Sequence, residues 1–165
     1  TSKLEKAGAT IEEFDDSLRV YRTGDLEPLN IKTMPHPGFP TDMQPLMTVL
    51  LTLAKGTSII TEGIWENRFR YVDELTRMGA NIQVDGRVAV IEGVQELLPA
   101  PMRAADLRAG AALVVAALAA DGVSEVDEIC HIERGYEDIV EKLRGLGADI
   151  KRVEKPAGVL RQAAL

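Results

Sequence analysis

Two acidic residues and three arginines stand where the sequence predicts that strands give way to helices. Asp42 and Asp106 each precede an apolar helical run, in the matching triplets Asp42-Met-Gln and Asp106-Leu-Arg. Arg68 and Arg134 each follow a glycine by 12 residues, in predicted strand-to-helix loops, and Arg108 lies in a first helical turn. Carboxylates are stabilised at helix N-termini, and such termini with nearby arginines suit phosphate or carboxylate ligands. The pattern indicates an anion site with acidic groups at its edge.

A purely structural reading of these residues stays open. Repeated units reuse N-terminal caps and helix-end ion pairs for stability, and Asp42 and Asp106 fit that use. Two observations favour binding. Loops between strands and helices concentrate binding residues, and Arg108 is misplaced against the dipole of its own helix.

The segment that leads into Asp42 is a stiff loop rich in proline and glycine, Pro37-Gly-Phe-Pro-Thr-Asp-Met-Gln-Pro. Proline and glycine exclude regular structure there. Thr41, with Gln44 three residues later, fits a capping box, and Pro45 is tolerated in a first helical turn. The apolar run 46–54 then predicts the body of a helix that Gly56 ends.

One motif occurs three times. Its copies are Leu4-Glu-Lys-Ala-Gly-Ala-Thr-Ile, Leu75-Thr-Arg-Met-Gly-Ala-Asn-Ile and Leu143-Arg-Gly-Leu-Gly-Ala-Asp-Ile, with glycines 71 and 68 residues apart. Each copy predicts a helix, a glycine stop and a buried strand. Between copies the order is β-α-β-α-β-β. Such units, with helices packed inward and sheets outside, make one α/β (α+β) domain.

Hydrophobic periodicity and turn residues predict the individual elements. The predicted strands are 9–14, 18–22, 31–33, 57–61, 80–84, 88–91, 102–104, 123–126 and 148–153. The predicted helices are 1–8, 43–54, 69–78, 106–120 and 136–146. A two-residue turn at Asp85-Gly86 is expected to join strands 80–84 and 88–91. Residues 155–165 carry weak signals and are expected to be a tail or a docked terminal segment.

Composition narrows the classes of function. A length of 165 residues favours one domain, and a net charge of −7 disfavours nucleic acid and anionic membranes as partners. The single cysteine, Cys130, excludes an internal disulfide framework and suggests a reducing compartment. Two isolated histidines and no cysteine cluster predict no metal site. No apolar run is long enough for a membrane span and no signal peptide is recognisable, and Thr1 is expected to open the chain inside a helix.

Four ordered motifs resemble one enzyme family. They are Pro37-Gly-Phe-Pro-Thr-Asp-Met-Gln, Glu66-Asn-Arg-Phe, Asp106-Leu-Arg-Ala and His131-Ile-Glu-Arg-Gly-Tyr-Glu. They closely resemble the UDP-N-acetylglucosamine enolpyruvyl transferases (1-carboxyvinyltransferases), over roughly residues 1–153. The sister family, which acts on shikimate phosphate, lacks the Pro37–Gln44 signature.

The resemblance implies a two-domain enzyme with three β-α-β-α-β-β units in each domain, built as an inside-out α/β barrel. Residues 1–154 would be most of the C-terminal domain. A partial first unit would span 1–32, a second unit 33–92 and a third unit 102–153. The partner of this portion would be the missing N-terminal domain of the same enzyme, in the cytoplasm.

The resemblance also implies roles. Enolpyruvate would pass from phosphoenolpyruvate to the 3-hydroxyl of UDP-N-acetylglucosamine, the first committed step of peptidoglycan synthesis, without metal or cofactor. Asp42 matches the carboxylate assigned as base, which must lie within hydrogen-bond reach of that hydroxyl. Asp106 matches an acid near the intermediate, and Arg134 matches an arginine that binds phosphoenolpyruvate and the released phosphate. The remaining matches are two active-site arginines, Arg68 and Arg108, and a sugar-nucleotide contact, Ile64, for which loop packing is an alternative.

The family's general acid belongs to the other domain, so the chain alone is expected to be inactive. Cys130 is not that acid and is expected to be a small buried hydrophobe. His36 and His131 are expected to make local hydrogen bonds. Two alternatives stay open: a non-catalytic binding or structural module, and a relative that acts on another hydroxyl, such as that of shikimate 3-phosphate.

Overall fold

The structure is a computed structural model that describes residues 1–154 of the chain. The predicted tail, 155–165, lies outside the described residues. The helices are α1 (Ser2–Lys6), α2 (Gln44–Thr52), α3 (Val72–Arg77), α4 (Leu107–Ala119), α5 (Cys130–Glu133) and α6 (Ile139–Gly145). The strands are β1 (Ala9–Glu13), β2 (Leu18–Arg22), β3 (Asn30–Lys32), β4 (Thr57–Thr61), β5 (Asn81–Asp85), β6 (Val88–Glu92), β7 (Pro101–Arg103) and β8 (Glu125–Asp127).

The strands form three sheets within residues 1–154. The largest is mixed, with the order β3-β4-β6-β5, in which β3 runs parallel to β4 and the other neighbours are antiparallel. Strands β1 and β2 form an antiparallel hairpin, and β7 pairs with β8 in parallel. The α/β class predicted from the sequence is confirmed by this mixture of sheets and helices.

The core lies where helices α2 and α4 pack against each other. Leu51 of α2 and Leu113 of α4 are fully buried, as are Ile60 and Ile91 on the inner face of the large sheet. Side chains alternate between buried and exposed along β4, so that the other face of the sheet meets solvent. Burial of each leucine or isoleucine side chain contributes about 1.5–3 kcal/mol to the free energy of folding. This packing holds the N-terminal ends of α2 and α4 in fixed positions.

The repeated glycine motif ends a helix at each of its three copies. Gly8, Gly79 and Gly147 have φ angles of 97°, 86° and 96°, in the left-handed region that favours glycine. After the second and third glycines, the next N–H bonds back to the carbonyl five residues earlier, at 3.1 Å for Ala80 and 3.0 Å for Ala148. These are bonds of a Schellman cap, and the glycine stop itself was predicted from the repeat.

The predicted strand 148–153 is wrong, because residues 148–154 form no regular element. The strands after Gly8 and Gly79 each pair with the next strand in a hairpin. Within the described residues no strand follows Gly147 to provide that partner, and a lone strand is not stable. The sequence analysis also missed the short helix α5.

The predicted capping box of α2 is wrong. Thr41 makes no cap bond, and Gln44 is fully buried, where its side-chain oxygen accepts a hydrogen bond from Tyr71. A 3₁₀ turn, Thr41–Met43, precedes the helix instead. Pro45 lies in the first turn as predicted.

Several boundaries differ from the prediction. Helix α2 ends at Thr52 rather than at Ala54, and α3 begins at Val72 rather than at Phe69, after a turn. Helix α6 begins at Ile139, because Asp138 has a φ of 44° and separates it from the preceding turn. The hairpin register places the loop at Gly86 and Arg87, since Asp85 still pairs with Val88.

Candidate active site

Asp42 lies in the 3₁₀ turn between the proline-rich loop and α2. The loop is tied back to the sheet by the N–H of Met34, which donates to the carbonyl of Phe39 at 2.9 Å. The carboxylate of Asp42 accepts no capping bond from the turn, and its side chain is 55% exposed. The carboxylate is therefore available to groups from other elements.

Asp106 is the N-cap of α4, as the sequence predicted. Its Oδ1 accepts hydrogen bonds from the N–H groups of Arg108 and Ala109, both at 2.9 Å. This cap satisfies two backbone donors that the helix itself cannot use. The other oxygen, Oδ2, faces Arg68.

Four predicted residues come together as a chain of alternating charges. Asp42 Oδ2 lies 3.0 Å from Arg108 Nη2, and Asp42 Oδ1 lies 3.7 Å from Arg68 Nη2. Arg68 Nη1 in turn lies 3.9 Å from Asp106 Oδ2. The two helix mouths and the loop before α3 thus converge at one place, which we call the charge cluster. Convergence is a fact of the structure, whereas the catalytic roles stay predictions.

Arg108 extends the charge cluster towards the segment after α5. Its Nη1 donates to the hydroxyl oxygen of Tyr136 at 3.2 Å, and its guanidinium carbon lies 5.8 Å from the centre of the Tyr136 ring. The hydrogen bond to Tyr136 is the main cause of a raised pKa for Arg108; burial opposes it, and the charge of Asp42 adds to it. The guanidinium is thus firmly cationic and fixed in direction.

The backbone next to Arg134 packs against the first turn of α4, close to the charge cluster. Arg134 follows α5 and is exposed, and among residues 1–154 no hydrogen bond or ion pair holds its side chain. The following residue, Gly135, packs so tightly on Leu107 that a Cβ there would lie 2.8 Å from that side chain. This close approach places the backbone of residues 134–136 against the first turn of α4.

Ile64 is half-buried in the loop after β4, and its N–H donates to Glu62 Oε1 at 2.9 Å. Glu62 is a residue that the sequence analysis missed. Its carboxylate is almost fully buried and also accepts bonds from Thr33, Thr41 and the N–H of Trp65. An acidic residue that directly follows an apolar strand was the available signal.

Burial of Glu62 disfavours its charged form, but four hydrogen bonds outweigh that effect. The net result is a lowered pKa for Glu62, because its ionised oxygens accept bonds from two threonine hydroxyls and two backbone N–H groups. Glu62 is therefore ionised at neutral pH although it is buried.

A buried tyrosine hydroxyl lies against two polar side chains of helix α2. The hydroxyl of Tyr71 lies 3.1 Å from Gln44 Oε1 and 2.7 Å from Thr48 Oγ1, and burial raises the pKa of Tyr71. Two buried donors have no acceptor in the part of the chain that the structure describes, Gln44 Nε2 and Arg68 Nε. Such donors are costly unless an acceptor reaches them.

The cysteine prediction is wrong, because Cys130 is exposed at the start of α5. The sequence around Cys130 has no clear hydrophobic periodicity from which its burial could be predicted. The Nε2 of His131 lies 3.8 Å from Glu128 Oε2, which is too long for the local hydrogen bond that was expected. His36 is exposed, and no residue in 1–154 gives it the hydrogen bond that was expected. The same range contains no group of three potential metal-ligating side chains.

The structure thus combines a mixed α/β fold with carboxylates and guanidinium groups gathered at helix mouths. Residues 1–143 match the sequence model of the EPSP synthase (3-phosphoshikimate 1-carboxyvinyltransferase) family. The chain belongs to this family.

Named relatives are UDP-N-acetylglucosamine 1-carboxyvinyltransferases. The chain is 56% identical over 154 residues to enzyme 3 of that name from Caldanaerobacter subterraneus subsp. tengcongensis, covering 93% of this chain and 37% of the relative. It is 56% identical over 151 residues to the enzyme of Desulfofundulus thermocisternus, covering 92% of this chain and 62% of the relative. The chain thus spans from about a third to under two thirds of the length of these relatives.

Solved structures share the fold. The enolpyruvyl transferase NikO from Streptomyces tendae superposes with a TM-score of 0.84 at 34% identity, over 91% of this chain and 35% of NikO. EPSP synthase from Acinetobacter baumannii superposes with a TM-score of 0.66 at 22% identity, over 92% of this chain and 36% of that chain, which shows the fold alone. In residues 1–154 no helix has the length and apolar character needed to cross a membrane.

Proposed function

We propose that this chain is a portion of a transferase that moves the carboxyvinyl group of phosphoenolpyruvate to the 3-hydroxyl of UDP-N-acetylglucosamine. The observation that carries the proposal is the charge cluster, in which Asp42 lies 3.0 Å from Arg108 and 3.7 Å from Arg68. Identity of 56% to enzymes named for this substrate supports the sugar nucleotide over shikimate phosphate.

The reaction is an addition followed by an elimination. The sugar hydroxyl oxygen bonds to the phosphate-bearing carbon of phosphoenolpyruvate while the methylene carbon gains a proton. The carbon–oxygen bond to phosphate then breaks, the new methyl group loses a proton, and phosphate leaves. In our proposal Asp42 accepts the hydroxyl proton, for which its exposed position on a rigid turn is suited. Asp106 assists from its cap position.

The arginines supply the anion site in this proposal. Arg68, Arg108 and Arg134 would bind the carboxylate and phosphate of phosphoenolpyruvate and then the released phosphate, since guanidinium groups bind both anions through paired N–H donors. Support comes from the unpaired, buried Nε of Arg68 and from Arg134, which is free within residues 1–154. Ile64 would contact the sugar nucleotide.

The architecture of the whole enzyme is part of the proposal. Residues 1–154 would form most of one domain, with units at 1–32, 33–92 and 102–153, closed as an inside-out barrel with the helices within. The packing of α2 on α4 inside the sheets supports this arrangement. The other domain would supply the general acid and close the cleft. The enzyme would act in the cytoplasm at the start of peptidoglycan synthesis, as the resemblance of its motifs implies.

A non-catalytic module is the second candidate, favoured by exposed apolar side chains. Leu18 and Val20 of β2 are 58% and 54% exposed, a pattern typical of a surface that docks against another segment. Calorimetric titration of the whole protein with UDP-N-acetylglucosamine separates the two. We expect saturable binding of the sugar nucleotide if the chain is the transferase portion. A folded protein that binds no sugar nucleotide would support the module instead.

A further inference from the structure

Glu62 is a buried carboxylate without a cation. It is 1% exposed, and within residues 1–154 no Lys, Arg or His forms an ion pair with it. A buried charge is costly unless hydrogen bonds replace its water. The role of Glu62 at this point of the fold therefore depends on the groups that its carboxylate oxygens bind.

The carboxylate of Glu62 joins three separate segments. Oε1 accepts from Thr33 Oγ1 at 2.7 Å, from the N–H of Ile64 at 2.9 Å and from the N–H of Trp65 at 3.2 Å. Oε2 accepts from Thr41 Oγ1 at 2.9 Å. All four partners donate to the carboxylate, and two of them are backbone N–H groups that can only donate, so an ionised carboxylate can accept every one of these bonds.

These segments carry the proposed site. Thr41 is the neighbour of Asp42 in the 3₁₀ turn, and Ile64 lies in the loop that leads to Arg68. Thr33, after β3, also accepts a hydrogen bond from the N–H of Gly63 at 2.7 Å, which locks the same loop a second time. The two oxygens of Glu62 thus fix the Asp42 turn on one side and the 63–65 loop on the other.

We infer that Glu62 is a positioning residue that sets the distance between the Asp42 carboxylate and the Ile64 loop. Glu62 is buried and touches no substrate itself. The consequence for catalysis rests on the proposed function, whereas the mechanical link between the turn and the loop does not. We call this set of bonds the Glu62 clamp.

The catalytic consequence is tested in the whole protein with a matched pair of substitutions. Thr41→Val removes the hydroxyl that reaches Oε2 and keeps the side-chain shape, while Thr41→Ser keeps the hydroxyl. We expect Thr41→Val to lower kcat about 10–100-fold, because small displacements of catalytic groups cost about that much, and Thr41→Ser to restore most of it. KM for phosphoenolpyruvate should change less than kcat, since the arginines are untouched.

A second threonine provides the control. Thr57 on the outer end of β4 donates to Glu92 at 2.9 Å, in an exposed copy of the same threonine–glutamate bond. Thr57→Val should leave kcat unchanged. Equal loss in Thr57→Val and Thr41→Val, or wild-type kcat in a folded Thr41→Val protein, would overturn the inference.

The mechanical link is tested without catalysis. The backbone N–H groups of Ile64 and Trp65 both donate to Glu62 Oε1, so the exchange of these two amide protons reports on the clamp. In the 165-residue chain we expect Glu62→Gln to speed both exchanges about 10-fold or more, since a neutral acceptor binds less strongly. Unchanged exchange would refute the clamp. If the wild-type protein releases no phosphate, the proposed function fails while this measurement still decides the clamp.

Discussion

The two helix mouths carry equivalent aspartates that do different things. One carboxylate oxygen of Asp106 accepts hydrogen bonds from the backbone N–H groups of Arg108 and Ala109, as in a helix cap. Asp42 makes no cap bond, and both of its oxygens face guanidinium groups. The same position in two units of a repeat therefore caps a helix in one unit and leaves both carboxylate oxygens to guanidinium groups in the other.

The local sequence explains this difference. Helix α2 begins after a 3₁₀ turn, and Pro45 in its first turn has no N–H to satisfy. Helix α4 has no proline at its start, and Asp106 directly precedes its first turn. A helix that needs less capping leaves its aspartate free for a ligand.

The first prediction compares the catalytic rates of the two aspartates. Asp42→Asn should lower the transfer rate of the whole protein by about 100-fold or more, because an amide cannot accept the hydroxyl proton. Asp106→Asn should cost less, because asparagine keeps the cap. Initial rates of phosphate release measure both. Equal losses would break the distinction between the two helix mouths.

The second prediction concerns stability. Asp106→Ala should lower the free energy of unfolding by about 1 kcal/mol, the usual cost of a lost N-cap. Asp42→Ala should change it by less than about 0.5 kcal/mol, since exposed ion pairs contribute little. Urea unfolding followed by circular dichroism measures both variants. A larger loss from Asp42→Ala would mean that Asp42 is mainly structural.

The third prediction adds Glu62 to the comparison, as a carboxylate stabilised by hydrogen bonds instead of cations. Its pKa is lowered in the folded protein from 4.5, so its stabilising contribution is complete above that pH and is lost as the pH falls through the folded value. The hydroxyls of Thr33 and Thr41 donate hydrogen bonds to Glu62. The charge of Glu62 also contributes to the raised pKa of Tyr71.

The measurement compares the free energies of unfolding of the wild-type chain and of Glu62→Gln between about pH 6 and pH 3. This range covers about three pH units around the reference pKa of glutamate. The difference in stability between the two should shrink as the pH falls. Parallel curves would show that Glu62 is not ionised in the fold.

The smallest predicted effect is at Tyr136. Tyr136→Phe removes the hydrogen bond to Arg108, found at 3.2 Å, and leaves the ring under the guanidinium. We expect KM for phosphoenolpyruvate to rise about 3–10-fold, as for one hydrogen bond of about 1 kcal/mol. Steady-state kinetics measure this, and an unchanged KM would show that Arg108 needs no support from Tyr136.

The parts of the structure that could be predicted are those with local causes. The glycine stops after α1, α3 and α6 follow from conformational preference alone, and the cap at Asp106 follows from its position before an apolar run. The repeat then predicted that loops distant in sequence carry equivalent residues. This is why four members of the charge cluster could be chosen before their contacts were known.

The parts that were missed depend on distant partners. The capping box failed because Tyr71 engages Gln44 and Glu62 engages Thr41, and neither partner is close in sequence. Glu62 was missed because its burial also depends on two hydroxyl donors that are distant in sequence, Thr33 and Thr41. Strand 148–153 failed because strands need partners that the pattern of one segment does not reveal.

Phosphate release from phosphoenolpyruvate tests the central claim most directly, measured with and without UDP-N-acetylglucosamine. We predict that the whole protein releases phosphate only when both substrates are present and that the 165-residue chain alone releases none, because in our proposal the other domain supplies the general acid. Release by this chain alone, or no release by the folded whole protein with both substrates, would contradict the account.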